Sequence, residues 1–203
     1  MKARHLMKEH VRKNIWQYLL ISIIFGLGFV LGEVNAGNLQ GGTRSHLVEM
    51  VDSFLKGGVV TYQEGYRIFI PAFLNQARLI VLIWFLGMTV IGVPLILAIV
   101  FIKGFSLGFT FGFLVKEKAL LGFMLAMLSV FPQNIIYVLF TIAWAVVGLN
   151  FSVYIAKGRF AGASLGQGLA TYTVTMLVFL VVFFFGALVE SFLSPWLVEM
   201  FIK

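Results

Sequence analysis

Cysteine is absent from this 203-residue chain, which excludes disulfides, zinc–thiolate sites and thiol nucleophiles. Charge is nearly as scarce: 11% of residues are charged, where soluble domains carry about 25%. The three histidines, His5, His10 and His46, form no HExxH pattern and no closely grouped ligand set, so no metal is expected. The eight acidic residues lie mostly at the edges of apolar runs or in one polar segment, and they offer no catalytic carboxylate pair. Gly162, Gly166 and Gly168 resemble a phosphate loop only in their glycines. The Gly-Lys-Ser/Thr ending and a preceding strand are missing, which leaves a flexible turn. Neither an enzyme nor a bound cofactor is expected.

What the chain has instead is hydrocarbon. It is 61% hydrophobic, with a mean hydropathy of +1.01. From Leu79 to Ala156 the apolar run is broken only at Gly92-Val93-Pro94, Lys103-Gly104, Lys116-Glu117-Lys118 and Pro132-Gln133-Asn134. No soluble core holds such a run, and lipid requires every backbone polar group to be satisfied within the protein. The expected fold is all-α: a polytopic membrane helix bundle of about five spans, with broken or half-length helices in the middle. The net charge of +7 does not indicate nucleic acid, because five of the fifteen basic residues (Lys2, Arg4, Lys8, Arg12, Lys13) precede the first apolar run. There they orient the chain in membrane lipid and place residues 1–14 in the cytoplasm.

The first span covers residues 15–34, read as a retained anchor. A signal peptide ending at Val34-Asn35-Ala36 is the alternative, but its h-region would be only about 7–15 residues. Residues 35–78 form the one sizeable polar segment, expected outside. Leu47, Val48, Met50, Val51, Phe54 and Leu55 share one helical face. Tyr66, Phe69, Ile70, Phe73 and Leu74 share another, with a kink at Pro71. Two surface helices capping the bundle, or a docking surface for an external partner, both fit. Residues 79–156 are the broken core, opening with a span over Leu79–Ile102. A cytoplasmic Gly-rich loop follows at 157–171, then a last span at 172–193 and an external tail at 194–203. Gly104–Val115 and Ala119–Phe131 are each about 18–20 Å long as helix. They make either one bent span or a half-inserted pair with Lys116-Glu117-Lys118 at the turn.

Gly104, Gly108 and Gly112 repeat every four residues, with Ser106 and Thr110 between them, and Gly28 and Gly32 repeat the spacing in the first span. Such faces let backbones approach closely, within the chain or in a homo-oligomer. Pro94 and Pro132 mark helix breaks. The Gln133 and Asn134 amides either satisfy carbonyls left free near Pro132 or line a pore at the break. Lys103 is expected to snorkel to the cytoplasmic interface at a span end, and Glu117 to screen Lys116 and Lys118 locally.

The strings IGVPLILAIVFIKGFSLGFTFGFLV (Ile91–Val115) and SVFPQNIIYV (Ser129–Val138) closely resemble the stage II sporulation protein M family of endospore-forming bacteria. FGLGFVLGEVNAG near the start and LVESFLSPWL near the end are similar to that family's ends, so the resemblance covers essentially the whole chain. It implies a polytopic, non-enzymatic scaffold of the engulfment machinery, located at the sporulation septum and the mother-cell engulfing membrane. Its implied partners are sporulation proteins D and P, which cleave peptidoglycan, and it brings no catalytic residues. A channel or transporter subunit using the break at Pro132-Gln133-Asn134 is the alternative.

Overall fold

The computed structural model describes residues 9, 11–39, 41–56, 65–158 and 164–202. Lys2, Arg4, Lys8, His5, His10, Gly162 and Arg159 lie outside them. The described residues are helical with no strand: α1 (Ile15–Asn35), α2 (Gly41–Lys56), α3 (Gly65–Gly87), α4 (Gly92–Leu125), α5 (Phe131–Ala156), α6 (Ser164–Leu188) and α7 (Ser194–Ile202). Four stretches are long and apolar enough to cross a membrane: Ile15–Asn35, Ile68–Gly87, Gly92–Ala156 and Gly166–Leu197. The chain is thus an all-α polytopic membrane bundle.

The third stretch folds back on itself. Ala119 has φ 46° and ψ −123°, the geometry of the first central residue of a type II′ turn, where a Cβ is strained. Past it, Gly122 abuts the Leu114 carbonyl with no room for a side chain, and the rings of Phe111 and Phe123 meet at 6.1 Å. Gly92–Lys118 is therefore one complete rod, and the chain returns through a π turn at Ala126–Val130 into α5. Neither expected arrangement of 104–131 holds: residues 104–115 are the second half of a full-length helix, with the charged triplet at its end.

The expected span Leu79–Ile102 is also divided. α3 stops at Gly87, and Met88–Ile91 turn the chain before α4 begins. Thr89 closes the turn: its Oγ donates to the Leu86 carbonyl at 2.7 Å, and its own carbonyl accepts from Ser152 Oγ of α5 at 2.7 Å. Gly92 presses against the Leu86 carbonyl, a contact that excludes any Cβ. Pro94 is consequently no break. It sits in the first turn of α4, where a helix leaves its N–H groups unused anyway. At the other end α3 reaches back to Gly65 with Pro71 inside it, so residues 65–78, expected outside the span, form its first half. Gly166 and Gly168 likewise lie within α6 rather than in a loop.

The glycine faces are used within the chain. A Cβ on Gly104 or Gly108 would collide with the Phe25 or Phe29 carbonyl, one on Gly112 with Glu33, and ones on Gly28 and Gly32 with the Phe101 and Phe105 carbonyls. These pairs rise together along both helices, so α1 and the first part of α4 are parallel and pack backbone against backbone. α3 runs against α4 and α6, as the Gln76–Lys103 and Ile83–Tyr172 contacts require. At the start of α1, Gln17 donates to Asn150 at 2.8 Å and Asn150 to Asn14 at 3.1 Å, which sets α5 antiparallel to α1.

Trp144, fully buried, and Tyr172, 3% exposed, stack at 5.2 Å in the centre of the bundle. Each donates to a carbonyl of α3: Trp144 to Ile80 at 3.0 Å and Tyr172 to Ile83 at 3.1 Å. A carbonyl has two lone pairs, so these bonds add to the helix ladder without breaking it. Ile21, Ile80, Ile83, Ile96, Val100 and Phe183 fill the space around them.

Ala119→Gly should stabilise the bundle by up to about 1 kcal/mol, because relief of the positive φ outweighs glycine's added chain entropy. Reversible unfolding in mixed micelles measures this, and a loss of stability would contradict the strained reversal.

Candidate functional site

Lys103 stands about 17 Å along α4 from Gly92, near the middle of a hydrocarbon layer about 30 Å thick. It is not at a span end, as the undivided Leu79–Ile102 span would have placed it. A half-buried ammonium at that depth needs partners. Its Nζ donates to Gln76 Oε1 at 3.3 Å and lies 5.8 Å from the centre of the Tyr137 ring, a cation–π distance. Tyr137 in turn donates its O–H to Glu190 Oε2 at 2.8 Å, and the Glu190 carboxylate acts on the Lys103 charge across the same space. That space is a cavity of about 180 Å³ between α3, α4, α5 and the π turn that follows α6, lined also by Asn75, Ser106, Thr110, Gln133 and Asn134.

Two proline-linked helix breaks build the wall opposite Lys103. Proline lacks an N–H and its ring clashes with the carbonyl four residues earlier. For Pro132 and Pro195 that earlier residue falls in a π turn, at Ala126–Val130 and Val189–Leu193 respectively. Each turn closes through a five-residue bond, from the Phe131 N–H to the Ala126 carbonyl and from the Ser194 N–H to the Val189 carbonyl. Side chains satisfy what the register change leaves over. Gln133 Nε2 donates to the Ser129 carbonyl, and Asn134 Nδ2 donates to the Val130 carbonyl at 2.7 Å. Gln133 Oε1 accepts from Ser194 Oγ at 2.8 Å, which ties one break to the other. Gln133 and Asn134 therefore cap carbonyls and line the cavity at once, combining the two alternatives open at Pro132.

Sequence reasoning placed Lys103, Pro132, Gln133 and Asn134 among the candidates, and the structure brings Lys103, Gln133 and Asn134 to one cavity. Gly104, Gly108 and Gly112 face away from it toward α1, and Pro94 is remote at the start of α4. Gln76, Tyr137 and Glu190 were missed. Only Pro195, which repeats Pro132 beside a polar residue, could have flagged Glu190. Among the described residues no three His, Cys, Asp or Glu side chains gather as metal ligands. The cavity offers donors from Lys103 and the amides and one acceptor carboxylate, which suits holding a polar or charged group.

A second polar cluster sits where α4 reverses. Lys116 Nζ donates to the Glu33 carbonyl of α1 at 2.8 Å. Glu117 accepts from Arg44 Nε at 2.7 Å, and Lys118 pairs with Asp52 at 2.5 Å. Glu117 and its two lysine neighbours thus each take a partner on another helix. All three residues clamp α1 and α2 to the reversal.

Gln133→Leu, which removes both the Ser129 and the Ser194 bonds, should cost about 1–2 kcal/mol, and Asn134→Leu, with one bond, about half of that. Unfolding of the two variants in micelles checks the order; equal, negligible losses would contradict the capping role.

A family model described as Stage II sporulation protein M matches residues 21–195. No curated protein and no solved structure matches the chain.

Proposed function

The chain belongs to the stage II sporulation protein M family, and on that premise we propose that it is a non-enzymatic membrane scaffold of engulfment. It is a sporulation-related membrane protein, and in this reading it holds the peptidoglycan hydrolases, sporulation proteins D and P, at the septum. The observation that carries the reading is the position of α2. This helix is outside the rods of the bundle, fastened to the α4 reversal by the Arg44–Glu117 and Asp52–Lys118 pairs. Leu47, Val48 and Val51 are half-buried, while His46, Glu49, Met50 and Ser53 remain exposed along it. With the N-terminus cytoplasmic, as the basic flank directs, the parallel α1 and α4 both deliver this end to the outside. An outer helix seated there is a platform that wall enzymes can meet.

Crosslinkers at Met50 should capture sporulation protein P during sporulation. Arg44→Glu should lower the yield, and Arg44→Glu combined with Glu117→Arg should restore it. Undiminished binding after α2 is scrambled would rule this platform out.

The polar cavity favours a second reading, a channel or transporter subunit, because Lys103, Glu190 and the amides at Pro132 line a polar space of about 180 Å³ within the span. Purified protein in liposomes would then pass a solute, and Gln133→Leu or Asn134→Leu would reduce the flux. A bilayer that stays tight to every solute tried ends that reading.

A further inference from the structure

Arg78 lies at the centre of the apolar stretch Ile68–Gly87, exposed on the surface of α3. Among the described residues it has no hydrogen-bond or ion-pair partner. An unpaired guanidinium at that depth faces lipid at considerable cost. It does not stand alone: with Lys103 it lines an open groove of about 410 Å³ between α3 and α4. Asn75 and Ser106 add polar groups, and Leu82 and Ile99 supply apolar walls. Asn75, Lys103 and Ser106 also line the cavity that holds Glu190, so groove and cavity are continuous.

We propose that this groove binds the phosphate of an anionic glycerophospholipid, with Arg78 and Lys103 as its cationic partners. The occupant has to reach the site through the bilayer, carry negative charge and present hydrocarbon to the groove walls, which together describe a lipid. Charge selects among lipids. Two cations and the single Glu190 carboxylate leave one positive charge, which a phosphodiester's one negative charge neutralises. A phosphomonoester would bring a second negative charge close to Glu190. Arg78 offers the planar fork that phosphate oxygens accept in pairs, and Lys103 a point charge. Ser106 and Thr110 continue the Lys103 face of α4 at i+3 and i+7, a polar track toward the Ala119 end along which a headgroup enters. The assignment is independent of the scaffold reading and of solute conduction.

Native mass spectrometry of the full chain in micelles with equimolar phosphatidylglycerol and phosphatidylcholine tests it. The wild type should retain phosphatidylglycerol about tenfold over phosphatidylcholine. Arg78→Gln, a change at an exposed and unpaired side chain, should remove about tenfold of that preference. Lys157→Gln, beyond the end of α5, should leave it unchanged. Lys103→Gln should lower it too, and its unfolding midpoint is recorded beside it to separate loss of fold from loss of ligand. Equal retention of the two lipids overturns the proposal, as does full retention by the folded Arg78→Gln variant. A preference for a polyprenyl phosphate over phosphatidylglycerol, or capture of an acidic membrane helix by a crosslinker at position 78 with lipid excluded, overturns the choice of occupant.

Discussion

The contact between α1 and α4 is made by backbone, and the rest of the bundle is arranged around it. Lipid offers no hydrophobic drive for two apolar helices to associate, so their attraction comes from close van der Waals approach and weak bonds to carbonyls. Glycines on both sides let the two rods reach that distance. Once α4 is held by its Gly104–Gly108–Gly112 face, its rotation is set. Lys103, Ser106 and Thr110 are then turned toward α3 and α5. A polar stripe that would be intolerable against lipid becomes the wall of a cavity.

The same constraint, that no polar group be left unsatisfied in hydrocarbon, explains the unusual parts of the structure. Prolines at 132 and 195 disturb the helix ladder, and the chain answers with π turns and side-chain amides. Ser152, Trp144 and Tyr172 each reach a carbonyl on a neighbouring segment, and Thr89 reaches one within its own turn. Tyr137 joins Lys103 to Glu190, taking one partner by its ring and the other by its hydroxyl. π turns of this kind often occur at functional sites, and here both border one cavity. The breaks serve architecture and site together because the residues that repair them also line the space between them.

The bundle also fixes where its outer helix sits. The charged triplet at the α4 reversal holds α2 through two ion pairs and α1 through a carbonyl. These contacts seat α2 at the end of the bundle where α4 reverses. Lipid bound at Arg78 would fill the groove between α3 and α4 and complete the packing of the same body.

Membrane class, the all-helical fold and the family were legible in the sequence, because they depend on composition and on strings that survive without coordinates. The glycine repeats also announced close packing, since only a missing Cβ permits it. Turns were harder to read. Met88–Ile91 is as apolar as the helices beside it, and Ala119 carries no glycine or proline to mark its positive φ, so the span boundaries moved. Those shifts took Lys103 from an interface to mid-span and Arg78 from a polar segment to the face of a helix. Pairing was decided by the tertiary structure alone. Arg44 meets Glu117, and Tyr137 meets Glu190, across long stretches of chain whose proximity no local pattern encodes. The sequence by itself determined which residues lipid would penalise; the packing of five rods determined which partner satisfied each of them.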